Sequence, residues 1–232
     1  MDLVEAIKSR KSIRGYKPDP VPEKVLEELL EVARWSPSGV NAQSWEFVVL
    51  TGEALEAVKQ ANVEQMDQGV DGHPDLDRPA LTGLYRERQV TLGRELFRLM
   101  DIGREDRDKR QEWTRKGLRF FDAPAAILVC RDDEAPELTG ILEVGLVTQT
   151  VALAALHFGL GTCIQRAAVN YPDAIRRVAG IPESKRILIG IAIGYPDPDF
   201  PANKLRSTRE EVSTLTMWRS SVEKPVPPPA SP

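Results

Sequence analysis

Apolar positions along this chain follow two rhythms: spacings of three and four residues, and short unbroken runs. Leu3, Ala6 and Ile7 share one face of a first helix that Asp2 is placed to cap. Val25, Leu26, Leu29, Leu30 and Ala33 keep the same spacing. Pro22 suits the first turn of that second helix, and Pro37 requires it to end beforehand. The run 47–50 reads as a buried strand and 53–66 as another helix. Gly, Asp and Pro crowd 67–79, which predicts a loop free to move. The stretch 81–117 is highly charged yet carries Leu84, Leu92, Leu96, Leu99 and Trp113. It predicts one or two exposed helices with a single apolar face, a cover for a partner subunit or a site.

A second buried strand is expected over 125–130. Residues 138–158 are apolar or small almost all round, the signature of a helix in the protein's middle or in a subunit interface, and Gly159 stops it. Residues 162–164 suggest a short strand, and 187–195 give the clearest strand of the chain. A turn follows at 197–201, then a short arm over 209–218. Strands alternate with helices and are outnumbered by them, so an α+β fold with a mixed sheet is expected. One domain spans 1–220, with a lid or helical insertion at about 67–117. The proline-rich stretch 221–232 predicts a disordered tail.

Composition narrows the functional classes. With 232 residues the chain can bury a substantial core, and its net charge of −4 disfavours nucleic acid or anionic membrane as the main partner. Cys130 and Cys163 lie in apolar runs without CxxC spacing, which predicts buried free thiols in a reducing compartment. His73 and His157 are the sole histidines, so a histidine-based metal site or a Ser/His triad is not expected, and no metal is assigned. No apolar run is expected to reach the ~20 residues of a membrane span. The start of the chain has neither the basic head nor the apolar centre of a signal peptide, and a cytoplasmic setting is the expectation.

Candidate chemistry sits in four places. Arg10-Lys11-Ser12-Ile13-Arg14 packs three cations and a hydroxyl into five residues. If extended, it turns Arg10, Ser12 and Arg14 to one side and Ile13 to the core. Lys204, Arg206 and Arg209 form a second basic cluster about 190 residues later. Two such clusters can converge on a compact dianion such as a phosphate monoester; each alone reads equally as a solvated run. The loop 36–45 offers Ser38, Gly39, Asn41 and Gln43, amides and backbone suited to a heterocycle edge, or else it is an ordinary helix-to-strand connection. Gly159-Leu160-Gly161-Thr162 allows tight packing but is neither a dinucleotide fingerprint nor a P-loop. Gly194-Tyr195-Pro196-Asp197-Pro198-Asp199 ends the clearest strand in a turn.

In order and spacing, the Arg-Lys-Ser-Ile-Arg, Ser-Pro-Ser-Gly-x-Asn-x-Gln-x-Trp, Gly-Leu-Gly-Thr and Gly-Tyr-Pro-Asp-Pro-Asp segments resemble the nitroreductase family of flavin enzymes over about 3–215. The resemblance implies a sheet with helices on both faces in a domain-embracing homodimer, with FMN bound at shared sites. It implies that Arg10, Lys11, Ser12 and Arg14 hold the FMN phosphate and ribityl chain, with Arg206 and Lys204 near the same phosphate. Pro37, Ser38, Gly39 and Asn41 would line the ring system from the other subunit, and Ile164, Gln165 and Arg166 would pass its edge. The implied activity is an NAD(P)H-dependent FMN oxidoreductase. It reduces nitroaromatic or quinone-type acceptors by ping-pong hydride transfer through flavin N5, with NADH or NADPH as donor. No single side chain is assigned as catalytic; Arg10 and Arg166 are candidates for a cation beside the N1–C2 edge.

Two positions depart from the family pattern. Ser44 stands where proline is common in Gln-Pro-Trp, and Lys11 where a second arginine is common. Tyr85, Arg88 and Trp113 are the lid residues expected to meet substrate; the lid arginines either select acidic aromatics or pair with nearby acids. Other flavin chemistry in the same family stands as the alternative: dehalogenation of a halogenated tyrosine, or azoline or enoate oxidoreduction. So does a non-catalytic flavin-binding protein. Dehalogenation would call for a lid Glu-Tyr-Lys set, which this sequence does not place: Tyr85 and Glu87 are near each other, but Lys116 is distant.

Overall fold

The computed structural model describes residues 2–77 and 79–220; the predicted tail at 221–232 lies outside them. Two helices open the chain: α1 (Leu3–Ser9), where Asp2 accepts a hydrogen bond from the Glu5 N–H at 2.9 Å, and α2 (Glu23–Ala33). Pro22 takes the N-cap place of α2, one residue before its first turn. Next come β1 (Glu46–Thr51), α3 (Gly52–Asp67), α4 (Gly83–Leu99), α5 (Arg107–Leu118) and β2 (Ala125–Asp132). After these, α6 (Glu137–His157) leads through Gly159, at φ +70°, into β3 (Gly161–Gln165). The remaining elements are α7 (Pro172–Ala179), β4 (Lys185–Gly194) and the single turn α8 (Val212–Leu215).

The sheet runs β1-β2-β4-β3, and its named strands pair antiparallel throughout. Its mixed character comes from an isolated parallel bridge between Ser12 and Thr162 on the outer edge of β3. Alternation along β2 builds two cores. Ala125, Ile127 and Val129 face α2 and α6, while Ala126, Leu128 and Cys130 face α3, α7 and the turn at Phe120–Asp122. Helices therefore cover both faces, as expected.

Three expectations change. The run 47–50 is not a buried strand: β1 is an outer strand with neighbours on one side, and only its Leu50 is fully buried. The expectation that no run reaches membrane-spanning length fails by length and composition. Helix α6 has 21 residues, and the mean hydropathy of its most apolar window is 1.5. It packs here as a core helix, burying Val144, Val147, Val151 and Ala155 against α2 and the sheet. Helix α7 was not foreseen, although Pro172 in its first turn and Gly180 at φ +66° after its end are ordinary start and stop signals.

Candidate functional site

The N-terminal basic segment lies along the free edge of β3. The Ile13 N–H donates to the Thr162 carbonyl at 2.9 Å, and the Ile13 side chain is 5% exposed, pointing into the core as an extended segment requires. Gly161 makes the approach possible: a Cβ there would stand 2.5 Å from Ile13 Cγ1 and 2.8 Å from Pro196 Cγ. Tyr16 fastens the next turn, its hydroxyl donating to the carbonyls of Ile13 at 2.8 Å and Ala192 at 3.2 Å; burial pushes its phenol well up.

The second basic cluster folds onto this segment through a residue the sequence reading did not single out. Asn203 is buried. Its Oδ1 accepts from the Arg14 N–H at 2.7 Å, and its Nδ2 donates to the carbonyls of Gly15 and Asp197, each at 2.8 Å. The Lys11 ammonium donates to the Asn203 carbonyl, and Arg206 Nη1 donates to the Ser9 carbonyl at 2.8 Å. Arg14 Nη1 donates to the Ser12 carbonyl at 3.4 Å, and its guanidinium lies 5.9 Å from the Phe121 ring centre. Among the described residues, none of Arg10, Lys11, Arg14, Lys204 or Arg206 forms an ion pair with a carboxylate. Burial and the neighbouring Arg206 charge hold the Lys11 amine below its usual value. Lys11, Arg14 and Arg206 thus converge, and their partners are neutral carbonyls that leave the positive charge uncompensated, whereas Arg209 turns onto Ser207 and Thr208 of its own segment. Such a cradle suits a dianion that supplies its own charge.

The 36–45 loop is placed by α6. Ser36 Oγ donates to the Ala33 carbonyl at 2.8 Å and lies 2.7 Å from Thr150 Oγ1. Glu143, 3% exposed, accepts from the Gly39 N–H at 2.9 Å, the Ser44 N–H at 3.0 Å and Ser44 Oγ at 2.7 Å. These bonds, led by the one from the Ser44 hydroxyl, hold its carboxyl below the usual value. Between the anchors, Val40, Asn41 and Gln43 all take positive φ. One signal for Glu143 was available: a lone carboxylate in an apolar helix must be satisfied if it is buried. Ser38 and Asn41 are not brought to the basic cradle within the chain. The loop meets α6 at Glu143 and, through Ser36, at Thr150, and the cradle meets β3 beyond the helix end, with about 10–20 Å of helix between them.

Ile164 is half-buried on β3. Gln165 is buried; its Nε2 donates to the Gly117 carbonyl at 3.0 Å, and its Oε1 has no protein partner. Arg166 donates to the carbonyls of Leu76 at 3.0 Å and Asp77. It helps fasten the 68–77 segment, which carries no helix or strand but is not loose. His73 N–H donates to the Asn170 carbonyl at 2.9 Å, and buried Asp75 accepts from Arg176 and from the Ile187 N–H at 2.7 Å.

The lid residues divide. Trp113 packs on Phe121 with ring centres 5.5 Å apart, and the Arg14 guanidinium lies 5.9 Å from the same Phe121 ring centre. Tyr85 is exposed on α4, and Arg88 pairs with Glu210 at 2.9 Å. A groove of 630 Å³ between α4 and the 205–215 segment is bordered by Leu84, Arg88, Leu92 and Arg206. Lys116 pairs with Asp122 at 2.9 Å.

Comparison with known proteins agrees in extent. The family model described as the Nitroreductase family matches residues 7–195. The chain is 30% identical over 227 residues to Nitroreductase NfnB of Mycolicibacterium smegmatis, covering 94% of each chain. It is 31% identical over 211 residues to a 4-nitrobenzoate reductase of Nocardioides sp., covering 89% of this chain and 85% of that one. The crystal structure of an FMN- and NADPH-dependent nitroreductase NfnB from a Sphingopyxis strain superposes with TM-score 0.90 at 27% identity, covering 95% of this chain and all of that one. The Mycobacterium smegmatis NfnB structure, in complex with NADPH, gives TM-score 0.88 at 28% identity over 93% and 97% of the two chains.

Proposed function

The chain belongs to the nitroreductase family, and from that premise we propose that it is an FMN-dependent NAD(P)H oxidoreductase reducing nitroaromatic acceptors. The observation that carries the reading is the cradle of Lys11, Arg14 and Arg206, whose charge no carboxylate answers among the described residues. FMN, when bound, supplies hydride acceptance and return between the nicotinamide and the nitro compound.

The chain's own residues bind and orient. Arg10, Lys11, Arg14 and Arg206 neutralise the phosphate, Ser12 gives a hydroxyl to the same end, and Lys204 adds charge from the rim. Arg166, fastened to the Leu76 and Asp77 carbonyls, places a cation where β3 ends, beside Ile164 and Gln165. Pro37, Ser38, Gly39 and Asn41 serve a second copy's cradle. Two features support that dimer: the ~10–20 Å of helix separating loop and cradle within one chain, and a stripe of exposed apolar residues on α6, Leu138, Leu142 and Leu146. Trp113, Tyr85 and Arg88 border the acceptor's entry. One domain with the 67–117 segment as its lid, in a cytoplasmic setting, completes the reading.

The test is an anaerobic absorbance spectrum of the purified protein, followed by NADPH or NADH and then 4-nitrobenzoate. A flavin band that bleaches with the nucleotide and returns with the acceptor is expected. A protein that carries no flavin, or whose flavin ignores both nucleotides, overturns the proposal.

A further inference from the structure

Glu143 is buried in the longest apolar helix of the fold, where an ionised carboxylate is costly unless fully hydrogen-bonded. Among the described residues no cation pairs with it. Arg131 of β2 packs against this part of α6, its Cδ 2.5 Å from where a Cβ at Gly140 would stand. Arg131 sends its Nη1 to the carbonyls of Asp132 and Ala135 instead. All three bonds described for Glu143 come from one loop: the N–H of Gly39 and the N–H and hydroxyl of Ser44. Between those anchors the backbone is held at φ +47° in Val40, +62° in Asn41 and +49° in Gln43. Non-glycine residues, above all a β-branched valine, enter that region at a cost that surrounding contacts must offset.

We infer that Glu143 is a positioning residue: it clamps the 39–44 loop in its strained shape and so presents Ser38, Gly39 and Asn41 to the flavin. The inference rests on the reading that this loop meets FMN. It also gives Ser44 a role. A proline at 44 has no N–H, and its ring has no hydroxyl, so two of the three bonds exist because this chain carries serine there. Glutamine at 143 would keep one acceptor but turn an NH2 toward a backbone N–H, leaving that donor unpaired inside the protein.

The experiment uses the full-length protein and its Glu143→Gln, Ser44→Ala, Ser44→Thr and Ser44→Pro variants. FMN dissociation constants, visible circular dichroism of the bound flavin, and kcat and KM for 4-nitrobenzoate at saturating FMN are measured for each. Glu143→Gln should weaken FMN at least tenfold, alter the flavin dichroism and raise KM more than it lowers kcat. Ser44→Ala should weaken FMN a few-fold, Ser44→Pro more, and Ser44→Thr, which keeps both donors, should match the parent. Should Glu143→Gln not fold, the serine series decides alone. The inference is overturned if Glu143→Gln melts earlier yet keeps the parent's FMN affinity, dichroism and KM, or if Ser44→Pro binds flavin as the parent does. A parent protein without flavin would instead sink the proposed function, so the two failures are distinguishable.

Discussion

Two regions of this molecule are rich in arginine, and they differ in where the counter-charge sits. In α4, α5 and the turn after them, several arginines answer acids or amides nearby: Arg98 to Glu95, Arg86 to Gln89, Arg119 to Asp122 and Glu112, and Arg88 to Glu210 of the arm, while Arg110 donates to the Gly103 carbonyl. Asp122 shows the effect. Burial pushes its carboxyl up, but hydrogen bonds from Arg119 and Lys116 outweigh that and hold it below the usual value. In the cradle, Arg14, Lys11 and Arg206 instead meet the carbonyls of Ser12, Asn203 and Ser9. A carbonyl fixes geometry without cancelling charge. The count of arginines therefore says little about a site, and the partition of their partners says much. In this region Arg88, Arg98 and Arg119 are held in ion pairs.

The sharpest way to break the contrast is to remove charge from each region in turn. Arg10→Ala combined with Arg206→Ala should cost at least about 3 kcal/mol of FMN binding, since each lost charge-assisted bond is worth about 1.5–3 kcal/mol. Isothermal titration of the apoprotein reads it. Arg86→Ala combined with Arg98→Ala should leave the FMN constant unchanged, and equal losses in both pairs would erase the distinction. Next in size is Asn203→Ala. It leaves the Arg14 N–H and the Gly15 and Asp197 carbonyls without their partner and should lower stability by about 2 kcal/mol in urea unfolding. It should also loosen FMN, because the cradle's two halves meet on this side chain. Full stability in the variant would show that the halves hold together without it.

The sequence displays the parts of this contrast but not its cause. The cation clusters, the apolar helix at 138–158 and the strands at 125–130 and 187–195 were legible because local periodicity and composition encode them. The clamps were not, because their partners are remote. Asn203 lies 189 residues from Arg14, and Glu143 lies 99 from Ser44. Ser44, which stands where proline is common, contributes two of Glu143's three hydrogen bonds. The outer position of β1 was hidden for a related reason, since an apolar run says that a strand forms and not which strands flank it.

A pH titration sharpens the contrast on the cradle side. The Lys11 amine is lowered by burial and then by the Arg206 charge. A lysine whose folded value is lowered favours its neutral form in the fold, so its charge costs stability at pH below that value and the cost fades as pH rises. A phosphate dianion needs the charged form. FMN affinity should therefore fall as pH rises through the lowered Lys11 value, earlier than an ordinary lysine would titrate. Lys11→Arg, which stays charged, should flatten that limb. An identical alkaline limb in Lys11→Arg would assign the loss to another group.

The smallest expected effect lies on the lid side and tests whether α4 belongs to the site at all. Arg88 and Glu210 pair at 2.9 Å with side chains that are about 40% exposed, in the groove that Arg206 also borders. A double-mutant cycle of Arg88→Ala and Glu210→Ala should give a coupling of about 0.5 kcal/mol in stability, weaker at high salt and silent in FMN affinity. Exposed pairs trade solvation for a Coulomb gain of similar size, and neither partner here has another ionic contact among the described residues to make the geometry cooperative. If the cycle instead appears in FMN binding, charge on α4 is felt at the cradle. The lid and the cradle would then be one electrostatic unit, and α4 would have to be redrawn as part of the flavin site.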